Sequence, residues 1–186
     1  MGADLYEGIN PEIIILLLSI TEFSQLLNET KQGVKLDPMD YAESVIIRLH
    51  RLLHLAPLGS QRLVEPLDKL VHVSLIATMT TLLPEYGHNL ARYHLLAEEL
   101  RRALQTYAAP AEHNDRVFLW AVFVSFATFL DCNDHGWLAV MARDICVRLG
   151  LHSWADVRSI LCQYAWIHVL YNTPGLKLWN MLEIAV

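Results

Sequence analysis

Apolar positions recur along this chain at intervals of three and four residues, the spacing of one helix face. No segment keeps the period-two alternation that a half-buried strand requires. Helix start signals punctuate the pattern. Asn10-Pro11-Glu12 sets a cap, a first-turn proline and an early acid ahead of Ile13. A first helix is expected from there to about Glu29, stopping near Gly33. Asp37-Pro38-Met39-Asp40 repeats the same grammar. The second helix carries Val45, Ile46, Leu49, Leu52 and Leu53 at helical spacing and ends before Pro57 and Gly59. A third opens near Glu65-Pro66, runs through Leu70, Val73, Ile76, Ala77, Thr80 and Leu83, and breaks at Pro84 to Gly87. A fourth spans roughly Leu90 to Tyr107, with Glu98 and Arg102 four apart and the acid first. Pro110 ends it.

The strongest signal comes next. Val117 to Leu130 is apolar throughout except for Ser125 and Thr128. A helix apolar on every side must be surrounded by other helices or by lipid. This one is shorter than the ~20 residues a bilayer needs, so it is expected at the centre of a helical domain. Asn114-Asp115 is read as its cap. Asp134 is read as the cap of a sixth helix through Trp137, Val140, Met141 and Cys146, ending at Gly150. Ser153-Trp154-Ala155-Asp156 has capping-box form with Asp in place of Glu. It opens a seventh helix through Ile160 and Leu161 and on to Leu170. Thr173-Pro174-Gly175 reads as a turn, and Leu176 to Ile184 as a short last helix. The expected fold is all-α, a compact bundle of seven to eight helices without a sheet. Residues 1–34 form an N-terminal helix and linker, and residues 35–186 a single helical domain. Trp120, Trp137 and Trp154 are evenly spaced, but their neighbours match poorly and a repeat is not inferred.

Composition narrows the function classes. Of 186 residues, 54% are hydrophobic, enough for a sizeable core. The 14 basic and 20 acidic residues give a net charge of −6, and the Arg and Lys are scattered rather than striped. That balance argues against a duplex-DNA surface. Cys132, Cys146 and Cys162 are too few and too widely spaced for a disulfide framework, and fit free thiols in a reducing compartment. Cys146 and Cys162 read as structural thiols. Cys132, in an expected loop, is the one to test for reactivity. Acids rather than a basic segment precede Ile13 to Leu18, which opposes a signal peptide. Tyr6 stands where myristoylation needs Ser or Thr, and Glu183-Ile184-Ala185-Val186 is no lipidation or retention signal.

Candidate chemistry is sparse. His50 and His54 lie four apart on one helix face, a spacing that can chelate a metal, but Arg51 replaces the Glu of a zinc-protease motif and no third ligand is marked. Asp131-Cys132-Asn133-Asp134-His135 holds hard and soft ligands, yet Asx residues at a helix junction cap and turn the chain. Asp68 and His72 are read as a surface pair on one helix. Trp154, Tyr164, Trp166, His168 and Tyr171 put polar tips in an apolar region, where they build core or line an effector site. There is no nucleophile elbow and no phosphate-cradling glycine loop. No catalytic, DNA-binding or metal residue and no cofactor is assigned, and a non-enzyme is expected.

Three stretches carry a family resemblance: ESVIIRLHRLLHLAPL (Glu43–Leu58), PLDKLVHVSLIATMTTLLPEYG (Pro66–Gly87) and RVFLWAVFVSFATFLDCNDHGWLAVMARDICVRLGL (Arg116–Leu151). With WIHVLYNTPGLKLW (Trp166–Trp179), they make Lys35 to Trp179 resemble the helical regulatory region of fungal transcription factors. In that family the region follows a six-cysteine binuclear zinc cluster that reads DNA. No such cluster, basic linker or dimerising heptad precedes it here. The resemblance implies a nuclear regulatory domain that responds to a small-molecule effector or to transcriptional co-regulators and is able to form a homodimer. It implies no contact with DNA or membrane by this chain. It transfers no functional residue, because its motifs are diffuse apolar patterns. The rival readings are an α-helical enzyme acting on a hydrophobic substrate and a helical adaptor unrelated to transcription.

Overall fold

Asp37 and Ser153 show how directly sequence becomes structure here. Asp37 Oδ1 accepts from the backbone N–H groups of Met39 and Asp40 at 2.8 and 3.3 Å, with Pro38 at the first helical position. Ser153 Oγ accepts from Asp156 N–H at 3.2 Å. Each satisfies donors that a helix start leaves without a partner. The computed structural model describes residues 6–29, 36–84, 93–107, 114–129 and 134–182. Among them there are eight helices and no strand: α1 (Pro11–Glu29), α2 (Pro38–Leu55), α3 (Pro66–Thr80), α4 (His94–Tyr107), α5 (Asp115–Thr128), α6 (His135–Arg148), α7 (Trp154–Leu161) and α8 (His168–Met181).

Two helices, not one, form the centre. α5 is buried as its apolar run predicts. α3 is buried as thoroughly, from Leu67 to Thr80 except for Lys69. Helices α1, α2 and α4 pack around α3, helices α6, α7 and α8 pack around α5, and the two hubs pack on each other. α1 has the length and apolarity of a bilayer span, but its Ile13, Leu17 and Ile20 face is fully buried in this core. The helix N-terminal to residue 34 therefore shares its core with the rest of the chain.

Most polar residues of α3 find partners, the buried Ser74 hydroxyl being the exception. Thr78 and Thr80 hydroxyls donate to the carbonyls of Ser74 and Ile76 at 2.9 and 2.7 Å. Asp68 and His72 do not form the expected surface pair. Both are buried. Asp68 accepts from Asn10 N–H at 2.8 Å, and His72 Nε2 lies 2.9 Å from the Leu52 carbonyl. Each thereby ties α3 to a different neighbour, where an unpaired polar group would cost stability.

Expectations for the C-terminal third need correction. α7 stops at Leu161, well short of Leu170, and α8 starts at His168. Thr173-Pro174-Gly175 is no turn but lies inside α8. Proline forgoes one helical hydrogen bond there. The packing explains the glycine: a Cβ at Gly175 would sit 2.7 Å from Trp154 and 3.1 Å from Trp166. Ile184 lies outside the described residues, as do Gly33, Gly87, Leu90, Pro110 and Leu130. α6 ends as expected at Gly150. The φ of this glycine is +63°, its N–H donates to Val147 and Leu151 N–H to Cys146, which is a Schellman stop.

Candidate functional site

The two junction acids hold helices together rather than capping by side chain. Asp115 receives a two-pronged contact from Arg148, with Nε at 2.8 Å and Nη2 at 2.6 Å. Asp134 takes the same from Arg101 at 2.8 and 2.6 Å, plus the Trp137 indole N–H at 3.0 Å. Neither Asn114 nor Asp134 makes a side-chain cap hydrogen bond, although each occupies the cap position. His135 packs its ring on Phe126 with centroids 4.3 Å apart. Asp131, Cys132 and Asn133 lie outside the described residues.

The aromatic group of the last third is core. Tyr164, Trp166 and Tyr171 are buried, Trp154 and His168 half-buried. Phe123 meets Trp154 and Trp166 at centroid distances of 6.0 and 6.5 Å, and Trp120 donates to the Ala165 carbonyl at 3.2 Å. Trp166 donates to Asn172 Oδ1 at 2.9 Å, and Tyr171 pairs with the Thr81 hydroxyl at 2.7 Å. Trp137 is only half-buried. The tips of Trp120, Trp166 and Tyr171 are thus bonded within the fold, while the Tyr164 hydroxyl is buried without a hydrogen-bond partner.

Two thiols are described, both free. Burial pushes the Cys146 thiol up to about 12. Cys162 Sγ lies 3.3 Å from His168 Nε2, but burial raises this thiol too, against a smaller opposing effect of Arg158. Burial thus disfavours the thiolate that a nucleophile would need. His50 and His54 are exposed, their rings stacked 6.2 Å apart. Among the described residues no three His, Cys, Asp or Glu side chains converge as a metal site would require.

What the fold leaves open lies on the N-terminal hub. Between α2, α3 and α4 runs a cleft of about 270 Å³ lined by Leu49, Leu53, Ile76, Leu83, Tyr93 and Leu95 among others. The Thr80 hydroxyl in its wall is already bonded to Ile76. A second groove of about 350 Å³ separates α1 from α2, with Glu12, Arg51 and His54 on its walls. The cleft is the more apolar of the two. Away from the cleft, buried Glu99 on α4 binds Lys69 of α3 at 3.1 Å and Arg102 at 2.8 Å, which ties α4 to α3. The rim of the cleft is not covered: Leu53 and Leu95 are 37% and 49% exposed.

Helical spacing set Ile46 and Leu53 in one series with Val45, Leu49 and Leu52 and did not reveal the cleft. Only Val45 and Leu52 of α2 are buried. The signal was the width of the apolar stripe. Val45 and Leu52 form the inward row, and Ile46 and Leu53 form a second row beside it. Compared with known proteins, the chain matches no family model, no curated protein and no solved structure.

Proposed function

We propose that this chain is a regulatory interaction domain in transcription, working through the apolar cleft between α2, α3 and α4 rather than through chemistry at a polar centre. The observation that carries the interaction part is the cleft itself: a concave apolar surface with large side chains left exposed at its rim. Exposed apolar area of this kind marks binding surfaces. The transcriptional part rests on the resemblance of Lys35 to Trp179 to the regulatory region of fungal transcription factors, which also makes the nucleus its place of action. Occupancy of the cleft by a co-regulator or an apolar effector would bias the packing of α2 and α4 against α3, and so alter output.

The test fuses the whole chain to an unrelated DNA-binding domain and reads a reporter. The whole chain is needed because α1 is part of the core. Output is expected to move up or down. A fusion that is stably expressed, nuclear and inert contradicts the reading.

A further inference from the structure

Along α2 five apolar residues follow a strict rule, with half-buried Leu49 among them, while exposed Ile47 lies off it. Met39, Ala42, Ile46, Leu49 and Leu53 are separated by three, four, three and four residues. This is the a/d seam of a coiled coil, carried over two heptads. Among the described residues no helix covers Met39, Ala42 or Ile46. Met39 is 77% exposed, Ala42 and Ile46 face solvent, and Leu49 and Leu53 border the cleft. The α2 residues that hold the helix to its own core, Val45 and Leu52, occupy the flanking g positions instead. The other flank, the e positions, is open and holds Glu43 and His50, both exposed.

We propose that this seam pairs with the same seam of a second copy of the chain, the two α2 helices running antiparallel about a two-fold axis. The register follows from the heptad. Antiparallel seams place a against d of the other helix, so Ile46 meets Leu49 of the second copy and Ala42 meets its Leu53. In that register the two e flanks face each other, which brings Glu43 of one copy opposite His50 of the other, twice per dimer. A carboxylate opposite an imidazole attracts when the ring is protonated and hydrogen-bonds when it is not. The seam is therefore self-complementary in shape and in charge, as an isologous interface must be. A parallel pairing would instead set the e positions against buried g residues and leave Glu43 and His50 without cross-helix partners. Leu95, on the far wall of the cleft, extends the apolar surface beside Leu53. One helix pair lies at the small end of specific interfaces, so the dimer is concentration-dependent. This inference goes beyond the proposed regulatory role and does not depend on it.

Sedimentation velocity on the whole purified chain, over roughly a hundredfold range of concentration, reads the monomer–dimer equilibrium. The average mass should rise from one chain towards two. Ile46→Glu should hold it at one, and Glu43→Arg or His50→Glu alone should weaken association by roughly tenfold. The two single variants mixed in equal amounts should associate more tightly than either does alone. In that mixed dimer the guanidinium introduced by Glu43→Arg on one copy faces the carboxylate introduced by His50→Glu on the other. The native His50 and Glu43 meet at the symmetry-related contact. Within one chain positions 43 and 50 are two helical turns apart, ~10 Å, so this rescue must occur between copies. All these positions are exposed, and unchanged thermal melts by circular dichroism establish that the variants fold. A chain that stays monomeric throughout overturns the proposal. So does a dimer that ignores Ile46→Glu, or one that the mixed variants fail to restore.

Discussion

The two hubs of this molecule are equally buried and differently finished. Around α5 the packing is aromatic and closed. Trp120, Phe123, Trp154, Tyr164, Trp166 and Tyr171 fill the space between α5, α7 and α8, and Asp115–Arg148 and Asp134–Arg101 fasten its edges. Around α3 the packing is aliphatic and open on one side. Leu49, Leu53, Ile76 and Leu95 line a cleft that no described helix of the chain fills. Large rigid rings fix one arrangement and leave little surface over, which suits a scaffold. An uncovered aliphatic face suits association. The contrast assigns stability to the C-terminal hub and recognition to the N-terminal one.

The largest effect is expected from Trp120→Ala, which empties a fully buried site in the closed hub. It should cost about 3–5 kcal/mol in denaturant melts. A loss below about 1 kcal/mol would mean that the aromatic hub is not the scaffold. Asp115→Ala removes the buried partner of Arg148 and should cost roughly 1–3 kcal/mol by the same measurement. Gly175→Ala sets a methyl against Trp154 and Trp166. Overpacking of this kind costs roughly 1–3 kcal/mol, offset by about 1 kcal/mol from the better helix former. A net loss that shrinks when Trp154 is also changed to Phe would locate the clash.

The open hub should answer to pH instead. Burial lowers the pKa of His72 below its ordinary 6.5, against a smaller raising effect of its bond to Leu52. The unfolded chain therefore binds a proton first. Stability is full above about 6.5 and falls as the pH drops below it. Melts across that range should show the loss in the native chain and a flatter profile in His72→Gln. At the small end, Ile46→Ser should change stability by less than about 0.5 kcal/mol, because its side chain packs on little of its own fold.

How far the sequence could be read differs between the hubs for physical reasons. Local signals were legible: the caps at Asp37 and Ser153, the stop at Gly150 and the all-round apolarity of α5 each depend on residues within a few turns of one another. The burial of α3 was not, because Asp68 and His72 read as a surface pair until their partners are known, and those partners are on other elements. The helix through Pro174-Gly175 was hidden because its cause is the approach of Trp154 and Trp166, which no local rule contains. The ion pairs join residues 33 apart in sequence, beyond any helix-spacing rule. At the candidate site the histidine pair and the aromatic group were visible as letters, and the structure puts the first on the surface and the second in the core. The cleft was not visible, since apolar residues bordering a cleft and apolar residues in a core obey the same periodicity.

The division of labour between the hubs is most directly tested by reporter output from the whole-chain fusion carrying Leu53→Glu and Leu95→Glu, two charges at the rim of the cleft. Both residues are partly exposed, so the melting temperature of the variant should stay close to that of the parent chain. The account predicts that the fusion's effect on the reporter is lost while the fold is kept. An undiminished effect from a folded variant would contradict it, and would place the functional surface elsewhere on the molecule.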